Sequence, residues 1–233
     1  KRPLPATAKG GCFVEDSRGR WWACFRVEVV NDTATLQGPA IGIDLGLKTL
    51  ATLSTGEKIE AAQVYRRYEA KLAIAQRASN KARARAINDK IANARRDHTH
   101  KSTTKIAKSY RTIIVGAVPS SQLVKTRMAK SVLDASWSTF RNTLRYKASR
   151  HGGTFLEVDE RFTSQICSTC GDLPSSRPRG IADLGIREWV CSSCGASHDR
   201  DVNAAKNILI LGLSAQPLAE AKPECPRARI GTK

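Results

Sequence analysis

Apolar and polar positions alternate at the start of the chain. In residues 11–36 (GCFVEDSRGRWWACFRVEVVNDTATL) Trp21, Ala23, Phe25, Val27 and Val29 share one face of an extended segment, and Arg26 and Glu28 share the other. Ser17-Arg18-Gly19 supplies a turn ahead of that strand, so a hairpin is expected, with Pro39 ending the segment. Residues 40–54 (AIGIDLGLKTLATLS) form a second β region, in which Ile41 and Ile43 lead into Asp44. Gly56 turns the chain toward a third strand over Lys58–Ala61. From Tyr65 to Tyr110 the pattern becomes long and helical, with Leu72, Ile87, Ile91 and Ile106 as sparse apolar anchors. A buried strand is expected over 112–118 (TIIVGAV). A helix from Met128 to Arg150 should bury Val132, Leu133, Trp137, Phe140 and Leu144 before His151-Gly152-Gly153 stops it. Thr154–Val158 is a further strand, residues 201–211 (DVNAAKNILIL) a final helix, and the Pro- and Ala-rich tail after Gly212 is expected to be disordered.

Charge adds what periodicity lacks. The 233 residues suffice for one large domain or two small ones, and 41% hydrophobic content is that of a globular chain. Thirty-nine Lys and Arg against twenty-one Asp and Glu leave +18. Such a surplus repels itself unless a polyanion neutralises it, and nucleic acid is the usual one; a generic basic protein is the blander alternative. Between Arg66 and Arg111 fourteen basic residues face three acids, which suits a protruding helical hairpin with one basic face. No run of eighteen apolar residues exists, so no membrane contact is expected. The first ten residues (KRPLPATAKG) lack the apolar core of an export signal. The start at Lys1 leads to the expectation that an upstream portion precedes it, and a bacterial cytoplasmic location, associated with the nucleoid when bound to DNA, is expected.

Cys167 and Cys170 are two residues apart, as are Cys191 and Cys194, with twenty residues between the pairs. This spacing presents four thiolates to one tetrahedral Zn2+ from two tight knuckles, with Gly171 and Gly195 where the backbone must turn. Redox-active CxxC pairs are the competing reading. His198 is not needed as a ligand when four thiolates close the site, so the zinc is expected to be structural. Cys12, Cys24 and Cys225 read as ordinary thiols.

Metal-assisted phosphodiester cleavage needs two or three carboxylates on one side of a site, holding two Mg2+ roughly 3.5–4 Å apart. Asp44 follows an apolar strand, and Asp201 opens the last helix, where the helix N-terminus favours a carboxylate. Taken alone, Asp201 would equally suit a helix cap.

IGIDLGLKTLAT, FTSQICSTCG and CSSCGASHDRDVNAAKNIL, in that order, resemble the TnpB family of transposon-encoded, RNA-guided RuvC-like nucleases (OrfB-type), relatives of compact type V CRISPR effectors. The resemblance implies an α/β, RNase H-like (RuvC) nuclease fold with a long basic helical insertion and a four-cysteine zinc ribbon, preceded by the end of a β-barrel. It implies boundaries at 1–38 for the last strands of a wedge-type barrel, 39–161 for the first part of the nuclease domain, and 162–198 for the ribbon. The last nuclease helix would occupy 199–212 and the tail 213–233. Asp44 and Asp201 would be the first and last catalytic carboxylates, and the ribbon would help hold target DNA or the guide duplex. The family's second carboxylate is a Glu at the end of the strand after the helical region; here Gly116 stands there, with Ala117 beside it. The next strand ends in Glu157, Asp159 and Glu160. Glu160 is the expected replacement, because a neighbouring parallel strand delivers it to the same end of the sheet. Glu157 and Asp159 fall on the opposite face.

Three functions remain open on the sequence. The first is an RNA-guided DNA endonuclease in which Asp44, Glu160 and Asp201 bind catalytic Mg2+, with Asp199 and Arg200 in support. Asn203 either orients the scissile phosphate or packs the helix. Its partners would be a guide RNA from the transposon end and double-stranded target DNA. Arg66, Arg67, Lys81, Arg83, Arg85, Arg95, Arg96 and Lys101 would hold the nucleic acid through its backbone. The second is a nuclease-dead, RNA-guided DNA-binding repressor, motivated by the missing Glu at 116. The third is a zinc-ribbon nucleic-acid-binding protein with no guide.

Overall fold

The computed structural model describes residues 7–16, 18–28, 37–117, 136–179, 183 and 185–215. Met128, Val132 and Leu133, Val29, Ser17, Cys225 and the tail from 216 onward lie outside them.

Strands β1 (Ala8–Glu15) and β2 (Trp21–Val27) form an antiparallel hairpin, beginning three residues before the expected start. Asp16 organises its turn, accepting from the Arg18 and Arg20 backbone N–H groups, the Arg20 guanidinium at 2.6 Å and the Trp22 indole at 3.0 Å. Its aromatic face is bare of cover from the described residues: Phe13 is 77% and Trp21 67% exposed. The alternation therefore gave the hairpin correctly, but its apolar face finds nothing among the described residues to bury it.

A five-stranded sheet carries the rest, in the order β5-β4-β3-β6-β7. Its members are β3 (Ala40–Leu45), β4 (Thr49–Leu53), β5 (Lys58–Glu60), β6 (Thr112–Gly116) and β7 (Thr154–Val158). β3, β6 and β7 run parallel, and β4 and β5 complete the sheet antiparallel. Between β5 and β6 come helices α1 (Val64–Arg77) and α2 (Lys81–Ser109), and between β6 and β7 comes α3 (Trp137–Arg150). The last described element is α4 (Arg200–Ser214), three residues longer than the expected 201–211 at its C-terminal end. Leu213 and Ser214 are therefore helical, not the start of the tail.

Because successive side chains on a strand point to opposite faces, the sheet sorts its residues by parity. Ile41, Ile43, Ile113 and Val115 pack on one face with Ile106 and Ala107 of α2 and with Trp137, Phe140, Leu144 and Ala148 of α3. Leu72 of α1 and Ile87 and Ile91 of α2 make a separate small core within the helical hairpin. Lys147 of α3 is only 8% exposed and locks onto α2, donating to His100 O at 2.7 Å, Thr103 Oγ1 at 2.9 Å and Thr104 Oγ1 at 2.7 Å. Burial lowers its pKa.

The other face receives α4 at backbone distance. A Cβ on Gly42 would collide with the Ala205 carbonyl and stand 2.6 Å from Leu209 N. One on Gly212 would press on Ile114, with Cδ1 at 2.6 Å, which is why the helix continues through that glycine on the sheet. Replacing Gly42 with alanine should push α4 off β3 and cost about 3 kcal/mol, overpacking at a site with no flexible neighbour to yield. Urea unfolding of the zinc-loaded protein measures it, and a loss under about 1 kcal/mol would contradict this packing.

Candidate functional site

The parity that gives α4 its face also gathers the acids. Ile43 pairs with Val115, which sets Asp44 level with Gly116, both on the α4 side at the C-terminal ends of parallel strands. Gly116 pairs with Val158 on β7, and two residues later the chain turns with Glu160 aimed back over β6. A Cβ built on Gly116 would lie 2.9 Å from Glu160 Oε2, 3.2 Å from Glu160 Cβ and 3.0 Å from Ile208 Cδ1 of α4. The Glu160 carboxylate thus fills the space that a side chain at position 116 would take.

Asp201 enters from above, in the first turn of α4. It is not the helix cap. Asp199 caps the helix, accepting from the Asp201 and Val202 N–H groups at 3.0 Å each, and pairs with Lys58 Nζ of β5 at 2.6 Å. Burial works against the Asp199 charge, but Lys58 and those N–H groups hold its pKa below the usual carboxylate range. Capping by Asp199 leaves the Asp201 carboxylate to the site, where Arg187 Nη1 stands 3.2 Å from both of its oxygens.

Electrostatics ties the three acids together. Burial raises the pKa of Asp44 well above the carboxylate range, the negative charges of Glu160 and Asp201 add to the rise, and Arg200 opposes it. Burial also raises that of Glu160, against Arg141, with Asp159 adding to the rise. Glu157 and Asp159 stay outside the cluster as expected: Glu157 pairs with Arg145 at 2.7 Å on the α3 face, and Asp159 with Arg161 at 2.6 Å. Among the described residues, only the four cysteines bring three or more metal-ligating atoms all within 4.8 Å of one another. Asp44 feels the charges of both Glu160 and Asp201. Carboxylates gathered at one end of the sheet are the hard oxygen donors that Mg2+ takes.

The cysteines are drawn tighter. Cys167 Sγ lies 3.7 Å from Cys194 Sγ, and Cys170 Sγ 3.8 Å from Cys191 Sγ. Four sulfurs at about 2.3 Å from a tetrahedral zinc would be about 3.8 Å apart. The donor set therefore fits Zn2+, and positive φ at Gly171 and Gly195 (80° and 74°) lets both knuckles close. His198 is no fifth ligand; its Nε2 lies 3.0 Å from Cys167 Sγ, placed to donate to a thiolate, and its ring packs on Trp189.

Two asparagines, one of them assigned a choice of roles by its position in the sequence, anchor this ribbon to α4. Asn203 is 1% exposed; its amide donates to Thr163 O at 3.2 Å and Ile166 O at 2.7 Å, and its carbonyl accepts from Ser168 N at 2.9 Å. Asn207, one turn on, donates to the same two carbonyls. With its polar atoms spent on the knuckle, Asn203 packs the helix and does not reach for a phosphate.

The basic helical hairpin stands as expected, with Arg66, Arg67, Lys81, Arg83, Arg85 and Arg96 exposed and Arg95 half-buried. Lys101 spends its charge on Asp97 at 2.7 Å, and Arg67 donates to Ala62 O at 3.0 Å. Arg66 and Arg95 line a cavity of about 360 Å³ with Lys48 and His98. Arg18 and Arg20 of the β1–β2 turn lie 3.9 and 3.7 Å from Asp89 of α2, so the hairpin leans on the helical one. Among the described residues no helix is long and apolar enough to cross a membrane.

Two family models match the chain: OrfB_IS605, described as "Probable transposase", over residues 24–127, and "Cas12f1-like, TNB domain" over residues 137–208. A protein of Streptomyces pristinaespiralis named as an RNA-guided DNA endonuclease is 36% identical over 99% of this chain. InsQ of Escherichia coli (strain K12), named likewise, is 29% identical over 85% of it. The chain spans 60% and 56% of the lengths of those relatives. Among solved structures, a Cas12f1–sgRNA–target DNA complex superposes with a TM-score of 0.56 at 17% identity, covering 83% of this chain and 54% of that one. The likeness is one of fold.

Two outcomes test this site. Purified protein should carry one zinc per chain by elemental analysis, and Cys191→Ser should lose it together with the fold of the ribbon. Asn203→Ala should retain zinc but lower stability by about 2 kcal/mol, because it leaves the Ser168 N–H without its acceptor and removes one of the two donors to the Thr163 and Ile166 carbonyls; unchanged stability would mean the anchor is idle.

Proposed function

We propose that the chain belongs to the TnpB family and is the nuclease-bearing portion of a transposon-encoded, RNA-guided, Mg2+-dependent DNA endonuclease whose second active-site carboxylate has moved from position 116 to Glu160. One observation carries this reading. Glu160 Oε2 stands 2.9 Å from where a Gly116 Cβ would be, on the sheet face it shares with Asp44 and Asp201.

The five-stranded sheet, with three parallel strands delivering acids at one end and α4 across it, supports an RNase H-like, RuvC-type domain. The exposed β1–β2 hairpin supports the last strands of a wedge-type barrel. Asp44, Glu160 and Asp201 would hold the metal. Mg2+ held there would supply Lewis-acid stabilisation of charge on the phosphate and activation of water. The protein's own part is positional: strand ends fix Asp44, the β7 exit fixes Glu160, and the Asp199 cap fixes the turn that carries Asp201. Exposed cations on α1 and α2 hold phosphates of a guide RNA–target DNA duplex, while sequence is read by base pairing. The ribbon, pinned to α4 by Asn203 and Asn207, keeps its zinc as a structural ion beside the cut site.

The test uses full-length protein with guide RNA from the transposon end, a matched DNA duplex and Mg2+. Cleavage is expected, and Glu160→Gln should lower it by roughly a hundredfold or more, through loss of a metal-holding charge, while leaving DNA binding intact. In a Glu160→Ala background, Gly116→Glu should restore cutting, since the two positions share one space. A parent that binds and never cuts would establish the guided repressor instead.

A further inference from the structure

We infer that Arg187 is a positioning residue that occupies the metal-facing carboxylate of Asp201 until nucleic acid draws the guanidinium away. The inference rests on the proposed metal site and concerns how that site becomes available.

Arg187 lies just before β8 (Glu188–Val190), which pairs with β9 (Ser197–Asp199) at the base of the ribbon. Its backbone cannot wander: Glu188 pairs with Asp199, and Arg200 N donates to Arg187 O at 2.7 Å. Its side chain is free to swing, at 53% exposure, while Asp201 is 24% exposed. In the structure a single nitrogen, Nη1, lies 3.2 Å from both Asp201 oxygens. This is not the two-nitrogen fork that makes an Arg–carboxylate pair strong. The contact is long, one-centred and half in solvent, a pair of the kind that is easily exchanged.

Three facing carboxylates explain why a cation sits there. Asp44 already bears the repulsion of Glu160 and Asp201, so an uncompensated Asp201 would add to an existing cost. Lys58, close enough to feel both Asp201 and Arg187, is committed to Asp199 at 2.6 Å. Arg187 is thus the cation seated on the Asp201 carboxylate. A divalent ion needs the same oxygens and repels the same guanidinium, so the two compete. Arg187 has donors to spare, and a backbone phosphate entering between ribbon and sheet is a better partner than a shared carboxylate edge. Once the phosphate takes Arg187, Asp201 is available to metal. Strand entry and metal loading are thereby coupled through one side chain.

The experiment is Mn2+ binding, by electron paramagnetic resonance, to the zinc-loaded full-length protein with guide RNA, with and without a matched DNA duplex whose scissile position is blocked. The parent should bind Mn2+ weakly alone and more tightly with DNA. Arg187→Gln should bind about three- to tenfold more tightly than the parent without DNA, the range a partly exposed ion pair and one repelled charge can account for, and gain less from DNA. Arg187→Lys, keeping the charge, should stay near the parent, which a merely structural role would not require. Asp201→Asn marks the floor. An Arg187→Gln affinity equal to the parent's without DNA overturns the exchange while leaving the metal site standing. A parent that binds no Mn2+ in either state, with zinc content intact, sinks the metal site and this inference with it.

Discussion

Backbone contact between α4 and β3 governs where every acid of the site can stand. A helix resting on side chains is held off a sheet by their length. Here the absence of a side chain at Gly42 brings the Ala205 carbonyl and Leu209 N against the strand itself. Gly212 repeats the approach on Ile114, two turns along, so the helix is held at two points and not one. With its axis fixed in this way, the first turn of α4 comes to the carboxyl ends of β3 and β6. Asp201 then stands across from Asp44, and the next turns present Asn203 and Asn207 to the first zinc knuckle. One packing constraint thus places both the acids and the ribbon.

That placement has an electrostatic cost which the rest of the site answers. Two unit charges about 5 Å apart at an effective dielectric near 20 repel by about 3 kcal/mol. A half-exposed ion pair returns about 1 kcal/mol at most. The guanidinium at Asp201, with Arg200 acting on Asp44 and Arg141 on Glu160, therefore offsets only part of the burial and repulsion that lift the Asp44 and Glu160 pKa values. Several acids outside the cluster lie directly beside a cation: Asp199 beside Lys58, Glu157 beside Arg145, Asp159 beside Arg161. Acids whose pKa values stay raised despite those guanidinium groups, in a chain of net charge +18, form a site that a multivalent cation would stabilise.

Much of this was legible in the sequence, for reasons tied to particular residues. Ile41 and Ile43 around Gly42 and Asp44 signal a two-sided strand, and Leu72, Ile87, Ile91 and Ile106 are widely spaced enough to mean helices yet few enough to mean little cover. The C-x2-C pairs carry their geometry in their spacing. What escaped was non-local or depended on partners. The role of Asn203 could not be chosen until Thr163, Ile166 and Ser168 were seen around it. The cap at Asp199 was obscured because Asp199 and Asp201 are both plausible caps by type. Arg187 gave no sign at all, since its link to Asp201 runs between β8 and α4. The alternation in β2 marked a strand correctly and said nothing of whether a covering element was present.

Gly116 is better understood through what stands above it than through what it lacks. The Glu160 carboxylate and a side chain at 116 compete for one space, because Glu160 Oε2 and Cβ lie 2.9 and 3.2 Å from the point where a Cβ would begin. Ile208 Cδ1 is the end of a flexible side chain and can give by a few tenths of an ångström while the helix stays in place. Glu160 could retreat, but only by turning its carboxylate away from Asp44. A glycine at 116 is therefore the residue that allows the β7 acid to enter from its side of the sheet while α4 keeps its distance from β3. Loss of an acid from one strand and its arrival from the next are, in this packing, a single structural change.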